Sequence, residues 1–415
     1  MIQDKIQITD GVFLVGKNDD RDVPFHRLML TKGTTYNSYL VQADRLAVID
    51  TVDISFGREY VQALGEHIVL ESIDYIVINH VEPDHSGGLP ALAAKAKNAR
   101  IVCTEYARYE LQRMYNLYTR EFLIVKDGDS LDLGGKTLRF FETPWLHTEE
   151  TMVTYLEENR VLFPCDIFST HLANKTTFED SAGYDITEDF QVYYQLIMHP
   201  HRRHVRDMLA KIADLDIQII APSHGFVLRE DPRRFIDMYE KASRETPEPQ
   251  KAAILYASMT GNTRKIARGL ADGLEKDGIQ VDIFDMNKAD DESIIAAVQE
   301  SNLVLVGTAT KYADAIGRTE EVVGKLANLD LSGITAGAFG SYGWSGEGIE
   351  HLHDFLAATN MTLLESSTII KTTGVTDVQF PLRMRFLPED EADRIIDRTA
   401  NFLAGILLDR KEDAA

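Results

Sequence analysis

Cysteine is nearly absent from this sequence: 415 residues contain only two, Cys103 and Cys165. That excludes a disulfide scaffold, a four-cysteine zinc site, a rubredoxin-type centre and a cysteine-ligated iron–sulfur cluster in this chain. It also sets a reducing cytoplasm as the expected compartment. Positive charge is scarce too. Lys and Arg number 43 against 66 Asp and Glu, a formal balance of −23. So acidic a chain has no electrostatic footprint for nucleic acid or for an anionic membrane surface. No apolar run approaches the roughly 20 residues that span a bilayer. The opening Met1-Ile2-Gln3-Asp4-Lys5 lacks the basic and apolar segments of a secretory signal.

The length allows two or three domains, each with ample core. The clearest break is Arg244-Glu245-Thr246-Pro247-Glu248-Pro249-Gln250-Lys251, where two prolines lie among charged and polar residues. Such a stretch reads as a linker. The expected division is therefore 1–243, a linker at 244–251, and 252–410. Before the linker, short strand-like runs such as Tyr75-Ile76-Val77-Ile78 and Val161-Leu162-Phe163 outnumber helical patterns at 55–65, 105–117 and 190–212. That pattern predicts an α+β sandwich with helices outside two sheets. After the linker, strands and helices alternate. Strands are expected at 252–256, 280–284, 303–307, 334–339 and near 363–370. Five such units predict a doubly wound α/β domain with a five-stranded parallel sheet.

Twelve histidines need an account. His80-Val81-Glu82-Pro83-Asp84-His85 follows a buried-type strand, with four potential ligands in six residues. A solvated polar turn is the plain alternative. Against it, His147, Asp166 and His224 each come shortly after another hydrophobic strand. Loops at strand ends are where ligands converge. Glu82 adds a third carboxylate to Asp84 and Asp166. Four histidines and three carboxylates make a hard, anionic site that suits iron better than zinc.

These residues resemble the metallo-β-lactamase fold, an αββα sandwich, throughout 1–243. The pattern H-x-E-x-D-H, followed by a His, an Asp and a His, resembles the ligand signature of the flavodiiron proteins. Gly33-Thr34-Thr35-Tyr36-Asn37-Ser38-Tyr39-Leu40 is similar to that family's N-terminal segment. The resemblance implies that His80, Glu82 and His147 bind one iron, that Asp84, His85 and His224 bind a second, and that Asp166 bridges them. It also suggests roles near the metals for His26 and Tyr194, while His171 follows Asp166 closely enough to approach the same pocket. Cys165, beside the bridge, is expected to point away by strand alternation and to serve as core. His199, His201 and His204 look like a metal site on paper, but the reading preferred here is a solvated helix face.

In the second part, strand 252–256 leads through Ala257-Ser258-Met259-Thr260-Gly261-Asn262-Thr263 into a helix. Hydroxyls, an amide and backbone N–H groups at a helix start form a phosphate nest. A bare capping turn is the alternative. The loop resembles that of flavodoxin, which holds the phosphate of FMN. Two further loops match those that flank the flavin ring there: Thr308-Ala309-Thr310-Lys311-Tyr312, and Ser341-Tyr342-Gly343-Trp344 with Gly346. Trp344 or Tyr342 is expected to stack on the flavin. Two departures stand out. The family more often reads S-P-T-x-N at 308–312, and F-H-G where this chain has Phe25-His26-Arg27-Leu28.

The resemblance implies a flavodiiron oxidoreductase that reduces dioxygen to water, nitric oxide to nitrous oxide, or both. Its cofactors would be FMN and two iron ions. A separate rubredoxin, a reductase or a reduced deazaflavin coenzyme would donate electrons, the chain ending at Ala415 without a rubredoxin extension. Head-to-tail homodimers, or dimers of dimers, are implied as well. Two other readings remain at this point: a di-zinc hydrolase fused to a flavodoxin module, and an electron carrier with a structural metal site.

Overall fold

The computed structural model describes residues 5–25, 28–30, 32–173, 176–244, 250–386 and 389–408. Two compact units divide it, Met1–Arg244 and Glu245–Ala415.

The first unit is built on two sheets, one of seven strands and one of five. In the first, Tyr39–Gln42 and Leu46–Ile49 are antiparallel, whereas Leu46–Ile49, Ile73–Val77, Arg100–Cys103 and Phe122–Ile124 run parallel. Side-chain alternation sends successive residues to opposite faces. Tyr39, Val41, Ile49, Val77 and Val102 enter a layer shared with Phe140, Leu156 and Phe163 of the second sheet. Leu40, Val48, Ile76, Ile101 and Cys103 face the other way, with buried residues of helices Gly57–His67, Leu89–Lys95 and Glu105–Met114. The outer face of the second sheet places Phe141, Val153, Tyr155 and Leu162 in one core with Phe190, Val205, Met208, Phe235 and Tyr239 of the helices beyond it. The result is the expected αββα sandwich.

The order of the second sheet positions the site. Thr137–Glu142 and Val161–Phe163 are each antiparallel to Met152–Leu156, so they point the same way. Ile219–Ile220 is parallel to Val161–Phe163. The three segments carrying His147, Asp166 and His224 therefore leave the sheet at one end.

The second unit has a parallel sheet in the order Gln280–Asp285, Lys251–Tyr256, Leu303–Lys311, Thr335–Tyr342, Thr362–Leu363. The expected five-stranded sheet needs one correction. Its last position is divided, because Leu382–Arg385 also pairs in parallel with Thr335–Tyr342, and helix Ser366–Thr373 occupies residues read as strand. Helix Asn262–Lys276 buries Ile266, Leu270 and Leu274 on one stripe. On the same helix Gly269 and Gly273 admit the terminal helix Glu389–Leu408. A Cβ at these positions would lie 2.7 Å from Ile396 and 2.4 Å from Ala400. Among the described residues no helix is long and apolar enough to cross a membrane.

Candidate metal and flavin sites

Strand Ile73–Val77 ends just before Asn79 and His80. Asn79 is locked first: its N–H donates to Asp50 Oδ1 at 2.8 Å, and its side-chain amide to Asp50 Oδ2 at 3.0 Å. Across the sandwich, Asn79 accepts from Met152 N at 3.0 Å and Thr154 Oγ1 at 2.7 Å. Pro83 then starts the short helix Pro83–Ser86, which turns Asp84 and His85 inward. The His224 segment is pinned by Tyr39 OH and Asn37 Nδ2, which donate to Pro222 O at 2.6 and 2.9 Å.

Non-glycine residues with left-handed φ mark three of these turns: Asp50 at 51°, Trp145 at 70° and Cys165 at 52°. Such conformations cost free energy and persist where the surroundings hold them, often at functional sites.

The structure brings His80, Glu82, Asp84, His85, His147, Asp166 and His224 into one centre. Asp166 is at its middle, and its two oxygens face different partners. Oδ2 lies 3.0 Å from His147 Nε2 and 3.7 Å from His80 Nε2. Both rings also approach Glu82 Oε2, at 3.4 and 3.5 Å. Oδ1 lies 3.0 Å from His85 Nε2 and 3.2 Å from His224 Nε2. Those rings in turn meet Asp84 Oδ2 at 3.3 and 3.4 Å. Ligands bonded at about 2.1 Å to one first-row ion are separated by roughly 3.0–3.5 Å, so each group has the spacing of one coordination shell.

Hydrogen bonding points the same way. His80 Nε2, His85 Nε2, Asp84 Oδ2 and Asp166 Oδ1 are buried and make no hydrogen bond among the described residues. Orphaned buried polar atoms are costly, and a pair of divalent cations would satisfy all four. The metal-free charge pattern shows the same demand. Burial disfavours a charged His80, yet Glu150 and Glu82 override it and raise its pKa well above the usual imidazole value. Burial likewise opposes charge on His224, but Asp166 and Asp84 raise it to about 10. Burial would raise Glu82, and His80 and His147 hold it down at about 2.

Several residues around the centre escape a reading of the sequence. Glu150 is buried, and its Oε1 lies 2.7 Å from His80 Nδ1 while accepting from Val81 N at 3.0 Å. The only sequence signal is an acidic pair before strand Met152–Leu156. Thr35 O lies 2.6 Å from His224 Nδ1, and Thr34 Oγ1 lies 3.1 Å from His171 Nδ1.

His171 packs against His224 with ring centroids 4.8 Å apart, and Tyr193 lies 4.8 Å from it on another side. Tyr194 packs instead on Tyr239 and His199, at 4.7 and 6.1 Å, so Tyr193 is the tyrosine against His171. His26 lies outside the described residues.

Two expectations are overturned. His201 is 4% exposed with its ring 6.2 Å from His147, and His199 and His204 are half-buried, so this is no solvated face. Cys165 is buried, but it falls beyond strand Val161–Phe163, where alternation no longer applies. Its Sγ lies within 4.8 Å of ligand atoms of His85 and Asp166 and accepts from Ser223 Oγ at 3.3 Å.

The flavin-type loops all follow carboxyl ends of parallel strands. Gly261 takes φ 93° and donates its N–H to Ser258 Oγ at 3.1 Å. Asn262 Nδ2 donates to Thr260 Oγ1 at 3.1 Å. Thr263 Oγ1 lies 3.0 Å from Ser341 Oγ and ties two of the loops together. The second loop is corrected: Thr308, Ala309, Thr310 and Lys311 belong to strand Leu303–Lys311, which pairs on as far as Ala309 with Ser341, and Ser341 and Tyr342 of the third loop likewise end strand Thr335–Tyr342. The turn of the second loop is Tyr312-Ala313, both with positive φ. Thr310 Oγ1 is buried without a hydrogen-bond partner among the described residues. Met259, Tyr312 and Trp344 are exposed by 57, 91 and 90%. A helix start without a side-chain cap beside Ser258 and Thr260, an orphaned hydroxyl and bare aromatic rings together fit a phosphorylated flavin.

Comparison with known proteins agrees. The model of the ODP family beta lactamases matches residues 34–225, and the flavodoxin model matches 254–382. An anaerobic nitric oxide reductase flavorubredoxin from Vibrio vulnificus is 36% identical over 356 residues, 84% of this chain and 72% of that protein. The solved rubredoxin oxygen:oxidoreductase of Desulfovibrio gigas superposes with a TM-score of 0.58 at 26% identity, covering 98% of this chain and 99% of that one. A metal-soaked flavodiiron core from Synechocystis gives 0.58 at 27% identity, with 98% of each chain covered. The fold and site define a two-domain oxidoreductase, a metallo-β-lactamase-like sandwich joined to a flavodoxin domain. The chain belongs to the flavodiiron protein family, whose cofactors are a di-iron centre and FMN.

Proposed function

We propose that this chain reduces nitric oxide to nitrous oxide, dioxygen to water, or both, with electrons passed through FMN from a separate donor. The observation that carries the reading is the division of the ligand set by the two oxygens of Asp166. His80, Glu82 and His147 would hold one iron, and Asp84, His85 and His224 the other. When bound, two ferrous ions and a reduced flavin supply the electrons that a diatomic gas must accept. The protein supplies the rest. Three carboxylates offset most of the charge of two divalent ions. Glu150, and the Thr35 carbonyl, orient His80 and His224 through their second nitrogens. Ser258, Met259, Thr260, Gly261, Asn262 and Thr263 would take the flavin phosphate. Thr308, Ala309, Thr310, Lys311, Tyr312, Ser341, Tyr342, Gly343, Trp344 and Gly346 would line its ring.

The reading extends to domains, assembly and place. The metal domain would be 1–243 and the flavin domain 252–410. Family resemblance supports head-to-tail homodimers, or dimers of dimers, and a donor of the rubredoxin, reductase or deazaflavin kind. Two buried free cysteines support a reducing cytoplasm. Metal and flavin analysis beside gas consumption with an anaerobic donor tests the function. The expected result is two irons and one FMN per chain with turnover of one or both gases. Zinc with hydrolytic turnover would overturn it.

A further inference from the structure

We propose that Arg383 is a positioning residue that sets the Tyr342–Gly346 loop, and through it the flavin ring; this rests on the FMN reading above. Arg383 lies on strand Leu382–Arg385, paired with Gly340 of the neighbouring strand. Its guanidinium gathers three groups. Nη2 donates to the backbone carbonyl of Ser345, Nη1 donates to the Glu350 carboxylate, and the guanidinium carbon lies 5.3 Å from the Tyr342 ring centroid. Glu350 belongs to helix Glu347–Ala357, which begins where the loop ends.

The loop leaves no slack around this clamp. Gly346 has φ 79°, and a Cβ there would stand 3.0 Å from both Arg383 Nη2 and the Tyr342 ring. Ser345 Oγ donates onward to Glu347. Trp344, between these held residues, is 90% exposed, so its direction is set by the backbone on either side rather than by packing. Arginine's planar fork reaches a carbonyl and a carboxylate at once, whereas an ammonium lacks that geometry.

The test uses the full chain carrying Arg383→Gln, Arg383→Lys or Glu350→Gln. Three properties are read: Trp344 fluorescence anisotropy without flavin in a Trp145→Phe background, the FMN dissociation constant by fluorescence quenching, and the midpoint potential of bound flavin. Arg383→Gln should lower the anisotropy, shift the potential and weaken FMN binding roughly tenfold, the scale of one charge-assisted hydrogen bond. Arg383→Lys should recover part of each change. Glu350→Gln should show a smaller loss, and it decides the matter if Arg383→Gln fails to fold. Unchanged anisotropy, affinity and potential in a folded Arg383→Gln would overturn the proposal. A wild-type chain that binds no FMN would instead overturn the flavin reading, while the anisotropy still judges the clamp.

Discussion

Glu150 Oε1 lies 2.7 Å from His80 Nδ1, on the side of the imidazole away from Asp166. The carboxylate is buried, and the Val81 N–H holds it in place at 3.0 Å. A carboxylate in this position fixes which nitrogen carries the proton and leaves Nε2 free for a metal.

Glu150→Gln should therefore lower metal affinity on the His80 side by about 10–100-fold. Circular dichroism should be unchanged, since the amide still fits. Competitive chelator titration measures the affinity, and wild-type binding would show that the contact is incidental.

Asp166→Ala should be the most damaging of the ligand changes. It removes a side chain whose two oxygens lie within 3.7 Å of ligand nitrogens in both groups. Folding should survive, because the sandwich cores lie in the sheet–helix and sheet–sheet layers. Full iron occupancy in this variant would place the bridge elsewhere.

Metal uptake should release protons. The pKa of His224 in the metal-free fold is about 10 against an ordinary 6.5, so the ring carries a proton at neutral pH. A raised pKa stabilises the metal-free fold fully below about pH 6.5, and that stability is lost as pH rises through about 10. Metal affinity should rise with pH over the same interval, because the ion displaces the proton. Denaturant midpoints of the metal-free protein at pH 6.5 and 10 check the first point. Calorimetry in buffers of differing ionisation enthalpy checks the second.

Gly273→Val should destabilise the second unit by about 1–3 kcal/mol, an overpacking cost. Its Cβ would meet Ala400 at 2.4 Å on the facing helix. Thermal unfolding should show one transition lowered, with iron content unchanged.

How much of this was legible depended on range. Four ligand-type positions, His80, His147, Asp166 and His224, stand out because each follows a hydrophobic strand, and Glu82, Asp84 and His85 because they share the short segment of His80. Residues that act through tertiary contact were invisible: Glu150 meets His80 from 70 positions away. The second flavin segment, 308–312, reads as loop in the sequence because its strand extension depends on register with residues 335–341. That Tyr193 packs against His171, and Tyr194 on Tyr239 and His199, has a local reason. A π-helical turn at Tyr194–Met198 follows helix Thr187–Tyr193, and it breaks the 3.6-residue count that assigns helix faces. The same irregularity precedes His201, whose burial the pattern did not show.

The most direct test of the account is Mössbauer spectroscopy of the iron-loaded protein. Two inequivalent irons in equal amount, magnetically coupled and both lost in Asp166→Ala, are the expected result. A single isolated iron, or a site that retains only zinc, would contradict it.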